Sequence, residues 1–295
     1  MPSPEPRDRS HLPHPLAPYP PLIVNAALTG MVPRRATVPH VPVTEAQIVA
    51  DAVACVAAGA TILHLHARED DESPAWRRER YAGFVAAIRA RCPGVVVCVS
   101  TSGREVADVD RRADVLELEG DARPDMASLT LGSLNFRTSA SVNEPDTIVA
   151  LATRMRERGI RPELEVFDLG MAALAADLLA RGILEPPLYV NLLLGGPNTA
   201  PATAAALTAL VATLPPGSIW AAAGLGAFQL PMNGMAVFMG GHVRTGLEDN
   251  PTLDAARIVP ATNAALVARV AELAALAGRP LATVAQTRAT LGLPG

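Results

Sequence analysis

At 295 residues, with 49% hydrophobic and 18% charged side chains, the chain can bury one large core and is too apolar to be disordered. A net charge of −4 gives no basic footprint for nucleic acid, and no apolar run reaches the roughly 18 residues of a membrane span. Three scattered cysteines (Cys55, Cys92 and Cys98) exclude a disulfide framework or a cysteine-rich metal site.

Residues 1–20 read as an irregular arm, because eight prolines fall within the first 21 positions. The arm lacks the apolar core of a signal peptide, so a cytoplasmic protein is expected. From residue 21 to residue 295 a single domain is expected, with short apolar runs alternating with helical patterns. Strands are predicted at 22–27, 61–66, 95–100, either 115–119 or 126–131, 163–167, 188–193, 218–223 and 241–244. Several of these runs are continuously apolar, as parallel strands covered by helices require.

The first helix is announced by Thr44-Glu45-Ala46-Gln47, a capping-box pattern, with Ile48, Val49, Ala52, Val53 and Val56 at helical spacing and Gly59 as its stop. Pro145 opens a helix that runs to about Arg158. A third covers 168–181, and a last covers 263–277 before Pro280 begins a short tail. About eight β/α units favour a (β/α)8 TIM barrel over a doubly wound sheet.

The stretch from Thr61 to Asp70 carries the chemistry. His64 and His66 are two residues apart on a strand, so their side chains share a face and can hold one metal ion together. In a parallel barrel the ends of the strands form the active site, and these histidines lie at the end of the second.

A second constellation, Met239 through Asn250, falls at the last strand and its loop. Glu248 either completes the metal site or solvates the loop. Asp249 is a candidate general base, and Arg244 a candidate to orient a carboxylate. Ser100-Thr101-Ser102-Gly103 ends the third strand, either as a plain turn or as a binding site for a carboxylate or enolate oxygen. Asn25, Glu163, Glu165 and Asn191 point to a polar barrel interior. Gly224-Leu225-Gly226 lacks the third glycine of a dinucleotide motif. All 25 basic residues are arginine, so Schiff-base catalysis through a lysine amine is excluded.

These segments, in this order, resemble the β-keto acid cleavage enzyme family over residues 22–292. The resemblance rests on Asn25-Ala26-Ala27-Leu28-Thr29-Gly30, His64-Leu65-His66-Ala67-Arg68-Glu69-Asp70, Ser100-Thr101, Pro162-Glu163-Leu164-Glu165 and 240–250. It implies a zinc-containing (β/α)8 barrel, a homotetramer, that converts a β-keto acid plus acetyl-CoA into acetoacetate plus a new acyl-CoA. By position it makes His64, His66 and Glu248 the zinc ligands and Asp249 the base, with Arg244 assisting. Ser100 would hold the substrate carboxylate, with Thr101, Ser128, Thr130 and Val32 among the substrate contacts. Where the family member that cleaves 3-keto-5-aminohexanoate has a glutamate for the substrate amine, this chain has Val32, which implies a substrate without that ammonium group. Phe228 and Gln229 join Val32 and Thr130 as expected shapers of the pocket.

Two other readings compete. One is another metal-dependent C–C lyase or hydrolase barrel, weakened by the lack of lysine and of further strand histidines beyond His242. The other is a metal- or acyl-CoA-binding barrel without catalysis, against which Asp249, Arg244 and Ser100 argue.

Overall fold

Strands covered on both faces need apolar side chains on each, and the runs read from the sequence become such strands. The computed structural model describes residues 19–294, so the arm expected over residues 1–20 falls almost wholly outside the described residues. The strands are β1 (Val24–Ala27), β2 (Ile62–Leu65), β3 (Val96–Val99), β4 (Met126–Thr130), β5 (Arg161–Val166), β6 (Tyr189–Leu194), β7 (Ile219–Gly224) and β8 (His242–Thr245). All pair in parallel in the closed order β1-β8-β7-β6-β5-β4-β3-β2, which is the TIM barrel expected. The helices are α1 (Glu45–Ala57), α2 (Arg78–Arg91), α3 (Val109–Ala113), α4 (Pro145–Glu157), α5 (Leu169–Ala180), α6 (Ala204–Thr213), α7 (Gln229–Met239), α8 (Asn263–Leu276) and α9 (Val284–Thr290). Among the described residues no helix is long and apolar enough to cross a membrane.

Local chemistry explains the punctuation. The Thr44 hydroxyl accepts from the Gln47 N–H at 3.3 Å, and the Gln47 side chain accepts from the Thr44 N–H at 3.1 Å, so α1 starts with two of its orphan donors satisfied. Two expectations are refined. Of the competing fourth strands, Met126–Thr130 enters the barrel. The run at 115–119 instead makes a 3₁₀ turn, Asp114–Glu117, because Glu117 and Glu119 stay in water while the adjacent Val115 and Leu116 are buried together. The expected C-terminal tail contains α9, which a second capping box (Thr283 with Gln286) starts.

Alternation along each strand sorts the interior. Leu63 and Leu65 pack outward with α1 and α2 side chains, whereas Ile62 and His64 point into the barrel. Ile23, Ile62, Val96, Met126 and Ala221 make an apolar floor, closed from below by Leu291 just after α9. Polar side chains then occupy the upper barrel.

His242 belongs to the stability of this floor. It is buried, and its Nδ1 accepts from the Ile23 N–H at 3.0 Å. Burial, with the nearby Arg279 charge, pushes the imidazole down to about 3. The unfolded chain therefore takes up the extra proton first, so this histidine stabilises the fold above pH 6.5 and loses that contribution as pH falls toward 3. One such proton gives a slope of about 1.4 kcal/mol per pH unit. His242→Asn, which keeps an acceptor but cannot charge, is predicted to flatten the acid limb by about one proton in urea midpoints measured from pH 6 to 4. An unaltered slope would discard this account.

Candidate active site

The upper barrel gathers its titratable groups around β2. His64 points inward from the strand and His66 follows just beyond it, which brings their Nε2 atoms to 3.1 Å. On its other side His64 Nδ1 meets Glu163 Oε2 at 2.5 Å. Glu163, on β5, also accepts from Asn25 Nδ2 at 2.5 Å and from Cys98 Sγ at 3.1 Å. Burial opposes the Glu163 charge, but His64 and Arg244 hold this carboxyl down at about 2. Burial likewise opposes charge on His64, yet Glu163 and Glu248 lift it to about 9. His66 is pushed down, mainly by burial.

The loop after β8 supplies the remaining groups. Gly246 lies so close to the Ala27 carbonyl that no Cβ could fit, and this close passage brings Glu248 over the histidines. Glu248 Oε1 lies 3.3 Å from His66 Nε2, and Oε2 lies 3.6 Å from His64 Nε2. Gly30, with φ +63, makes room for it, since a Cβ there would stand 2.7 Å from Glu248 Cγ. Arg68 holds that turn by donating to the carbonyls of Gly30 (2.9 Å) and Pro33 (2.9 Å).

Arg244 is fully buried and touches three acids: Glu248 at 3.0 Å, Asp249 at 3.0 Å and Glu165 at 3.2 Å. Burial works against its charge, but Asp249, Glu248 and Glu165 raise it well above the ordinary arginine value. Asp249 is raised by burial and by Glu248, against the lowering effect of Arg244. A raised carboxyl is the better proton acceptor, as a general base requires.

The donor set suits a divalent cation. Two imidazole nitrogens and one carboxylate converge, with all ligand atoms within 4.8 Å of one another. Glu248 Oε2 is buried and accepts no hydrogen bond from the described residues, which is costly unless a cation sits beside it. Glu163 orients His64 from behind, the usual role of a carboxylate against a metal-binding histidine.

Above these groups opens a cavity of about 160 Å³. His66, Ser100, Thr130, Glu248, Asp249 and Val32 all line it. The Ser100 oxygen accepts from the Ser102 N–H at 3.1 Å, which leaves its own O–H to donate. The Thr130 hydroxyl donates to Glu165 at 2.7 Å. Thr101 and Ser128 are placed otherwise. The Thr101 hydroxyl donates to the Ser128 carbonyl at 2.5 Å, and its N–H donates to the Ser128 hydroxyl at 3.2 Å. The Thr101 hydroxyl is thus spent on Ser128, and neither residue lines this cavity. Nor do Phe228, which packs on Gly195, and Gln229, which is buried and donates to the Gly246 carbonyl at 3.0 Å. Sequence reasoning passed over Arg104 and Phe136, which do line it. They lie on loops, where no periodicity marks direction.

Residues 21–293 match the β-keto acid cleavage enzyme family. The chain is 43% identical over 277 residues to the 3-oxoadipate:acetyl-CoA acetyltransferase of Cupriavidus necator, covering 93% of this chain and 95% of that one. It is 38% identical over 273 residues to the 3-keto-5-aminohexanoate cleavage enzyme of Fusobacterium nucleatum, covering 92% and 98%. The apo structure of ObcA has the same fold, with a TM-score of 0.74 at 23% identity over 86% of this chain, which spans 66% of that one. With the match running through the His-x-His strand and the Arg244–Asp249 loop, the chain belongs to the β-keto acid cleavage enzyme family.

Proposed function

We propose that the protein converts a β-keto acid and acetyl-CoA into acetoacetate and a new acyl-CoA, with zinc held by His64, His66 and Glu248. The observation that carries this reading is the buried Glu248 oxygen without a hydrogen bond beside two imidazole nitrogens, on a cavity that Asp249 and Ser100 also line. The two relatives above support it, being named for reactions of keto acids. The 3-oxoadipate of the Cupriavidus relative has no ammonium group, in keeping with Val32 in this cavity.

When bound, zinc supplies a Lewis acid that stabilises negative charge developing on the keto oxygen. The chain's own groups do the rest. Ser100 donates its O–H to the substrate carboxylate and fixes the acid end. The Asp249 carboxylate takes a proton from C2, helped by the burial that raises its basicity. Arg244 keeps Asp249 in place through two contacts, at 3.0 and 3.3 Å. The C2 carbanion then attacks the acetyl thioester carbon and expels the CoA thiolate. That thiolate adds to the original keto carbon, and cleavage of the C2–C3 bond releases the new acyl-CoA. The electron pair left on C2 recovers the proton from Asp249, which completes acetoacetate. The same reading carries a homotetramer, as the family resemblance implies.

Two measurements test the assignment. Glu163→Gln is expected to weaken zinc binding by about 10- to 100-fold, since it removes the carboxylate behind His64. Competition with a chelator reads this, and equal affinity in both proteins would count against a metal at these histidines. Asp249→Asn is expected to cut kcat by about 10²- to 10⁴-fold and to abolish deuterium exchange at C2, with zinc retained. Loss of zinc together with activity would move Asp249 from base to metal support.

A further inference from the structure

We infer that Arg104 selects β-keto acids bearing a second, distal carboxylate, so that the substrate is a β-keto dicarboxylic acid; this rests on the reaction proposed above. Three side chains able to carry positive charge line the cavity: His66, Arg244 and Arg104. The first two are committed, His66 to His64 and Glu248, and Arg244 to its three acids. Arg104 makes no ion pair among the described residues.

Its head is nevertheless held in place. Arg104 Nε donates to Ser139 Oγ at 2.9 Å, and the guanidinium lies over the Phe136 ring at 4.1 Å. Phe136 in turn meets Phe167 edge-on, with centroids 5.9 Å apart. With one edge bonded and one face stacked, the terminal NH1/NH2 edge has no acceptor among the described residues. A planar fork of this kind matches a carboxylate with two parallel hydrogen bonds. The guanidinium is half-buried, so part of its hydration is already lost and an anion restores it.

The reacting centre lines the same cavity, through Ser100, Glu248 and Asp249. Leu134, Phe167, Leu193 and Leu225 add apolar surface to the same lining. That combination of surfaces in one cavity fits a molecule with a keto acid at one end, methylenes in the middle and an anion at the other. A distal ammonium would meet Arg104 as a like charge, with Val32 offering no counter-ion. A distal methyl would bury the free guanidinium edge unpaired. Discrimination thus comes from both attraction and rejection.

The test compares 3-oxoadipate, 3-oxohexanoate and 3-keto-5-aminohexanoate as substrates of the zinc-loaded protein with acetyl-CoA. The diacid is expected to have the highest kcat/KM. Arg104→Gln is expected to reduce the ratio of diacid to monoacid kcat/KM by roughly 10- to 100-fold, the worth of a hydrogen-bonded charge. Arg104→Lys should recover part of that ratio. An unchanged ratio in Arg104→Gln overturns the inference, as does a native preference for the monoacid or the amino acid. A higher KM for acetyl-CoA with the ratio intact also overturns it, because Arg104 would then serve the thioester. If none of the three acids yields a new acyl-CoA, the proposed reaction fails instead. Calorimetric binding of 3-oxoadipate then decides Arg104 alone: weaker binding to Arg104→Gln supports the inference, and equal binding sinks it.

Discussion

A guanidinium removed from water must be neutralised where it stands, and around Arg244 that requirement organises the mouth of the barrel. Its three acids come from two places, Glu165 from β5 and Glu248 and Asp249 from the loop after β8. The arginine thus ties the far side of the barrel to the loop that faces the histidines. Without it, three carboxylates would crowd one poorly solvated space, and some would have to take up protons. The backbone of Arg244 is fixed as well, because Asn233 on α7 donates to its carbonyl at 3.0 Å. Helix, strand and loop therefore converge on one side chain.

The two glutamates of β5 show how a strand repeat becomes a division of labour. Glu163 and Glu165 face the same interior about 6.6 Å apart along the strand. The lower one meets His64, Asn25 and Cys98, all of which offer hydrogen-bond donors. The upper one meets Arg244 and Thr130 and borders the cavity. Below both, the apolar floor and Leu291 supply core packing. Packing and chemistry thus occupy different heights of one barrel, as is general for this fold.

How much of this was legible in the sequence follows from period and punctuation. The pairing of His64 with His66 was readable because the strand period of two fixes their common face. Several of the strands were readable from continuous apolar runs, and α1 from its capping box. The fourth strand was ambiguous because both runs carry apolar residues at strand spacing, and only pairing with β3 and β5 decides between them. The α9 helix was missed although Thr283 and Gln286 carry the same capping signal as Thr44 and Gln47. For Thr101 and Ser128, residue type was visible but hydroxyl direction was not, and the two bond to each other. Arg104 left no trace, since its place depends on a hairpin (Leu134–Asn135 with Ala140–Ser141) that positions Phe136 and Ser139.

The passage of Glu248 over Gly30 carries a consequence for how the ring holds together. β1 pairs with β2 on one side and with β8 on the other, so the first and last strands of the chain meet there. The histidines belong to β2 and its end, and Glu248 to the loop after β8, with the Gly30 turn lying between. The convergence of these three side chains exists only once the seam has closed. A cation shared among them would act as a clasp across the first and last strands of the barrel. With the ion bound, opening the seam would cost its binding free energy as well as the strand pairing.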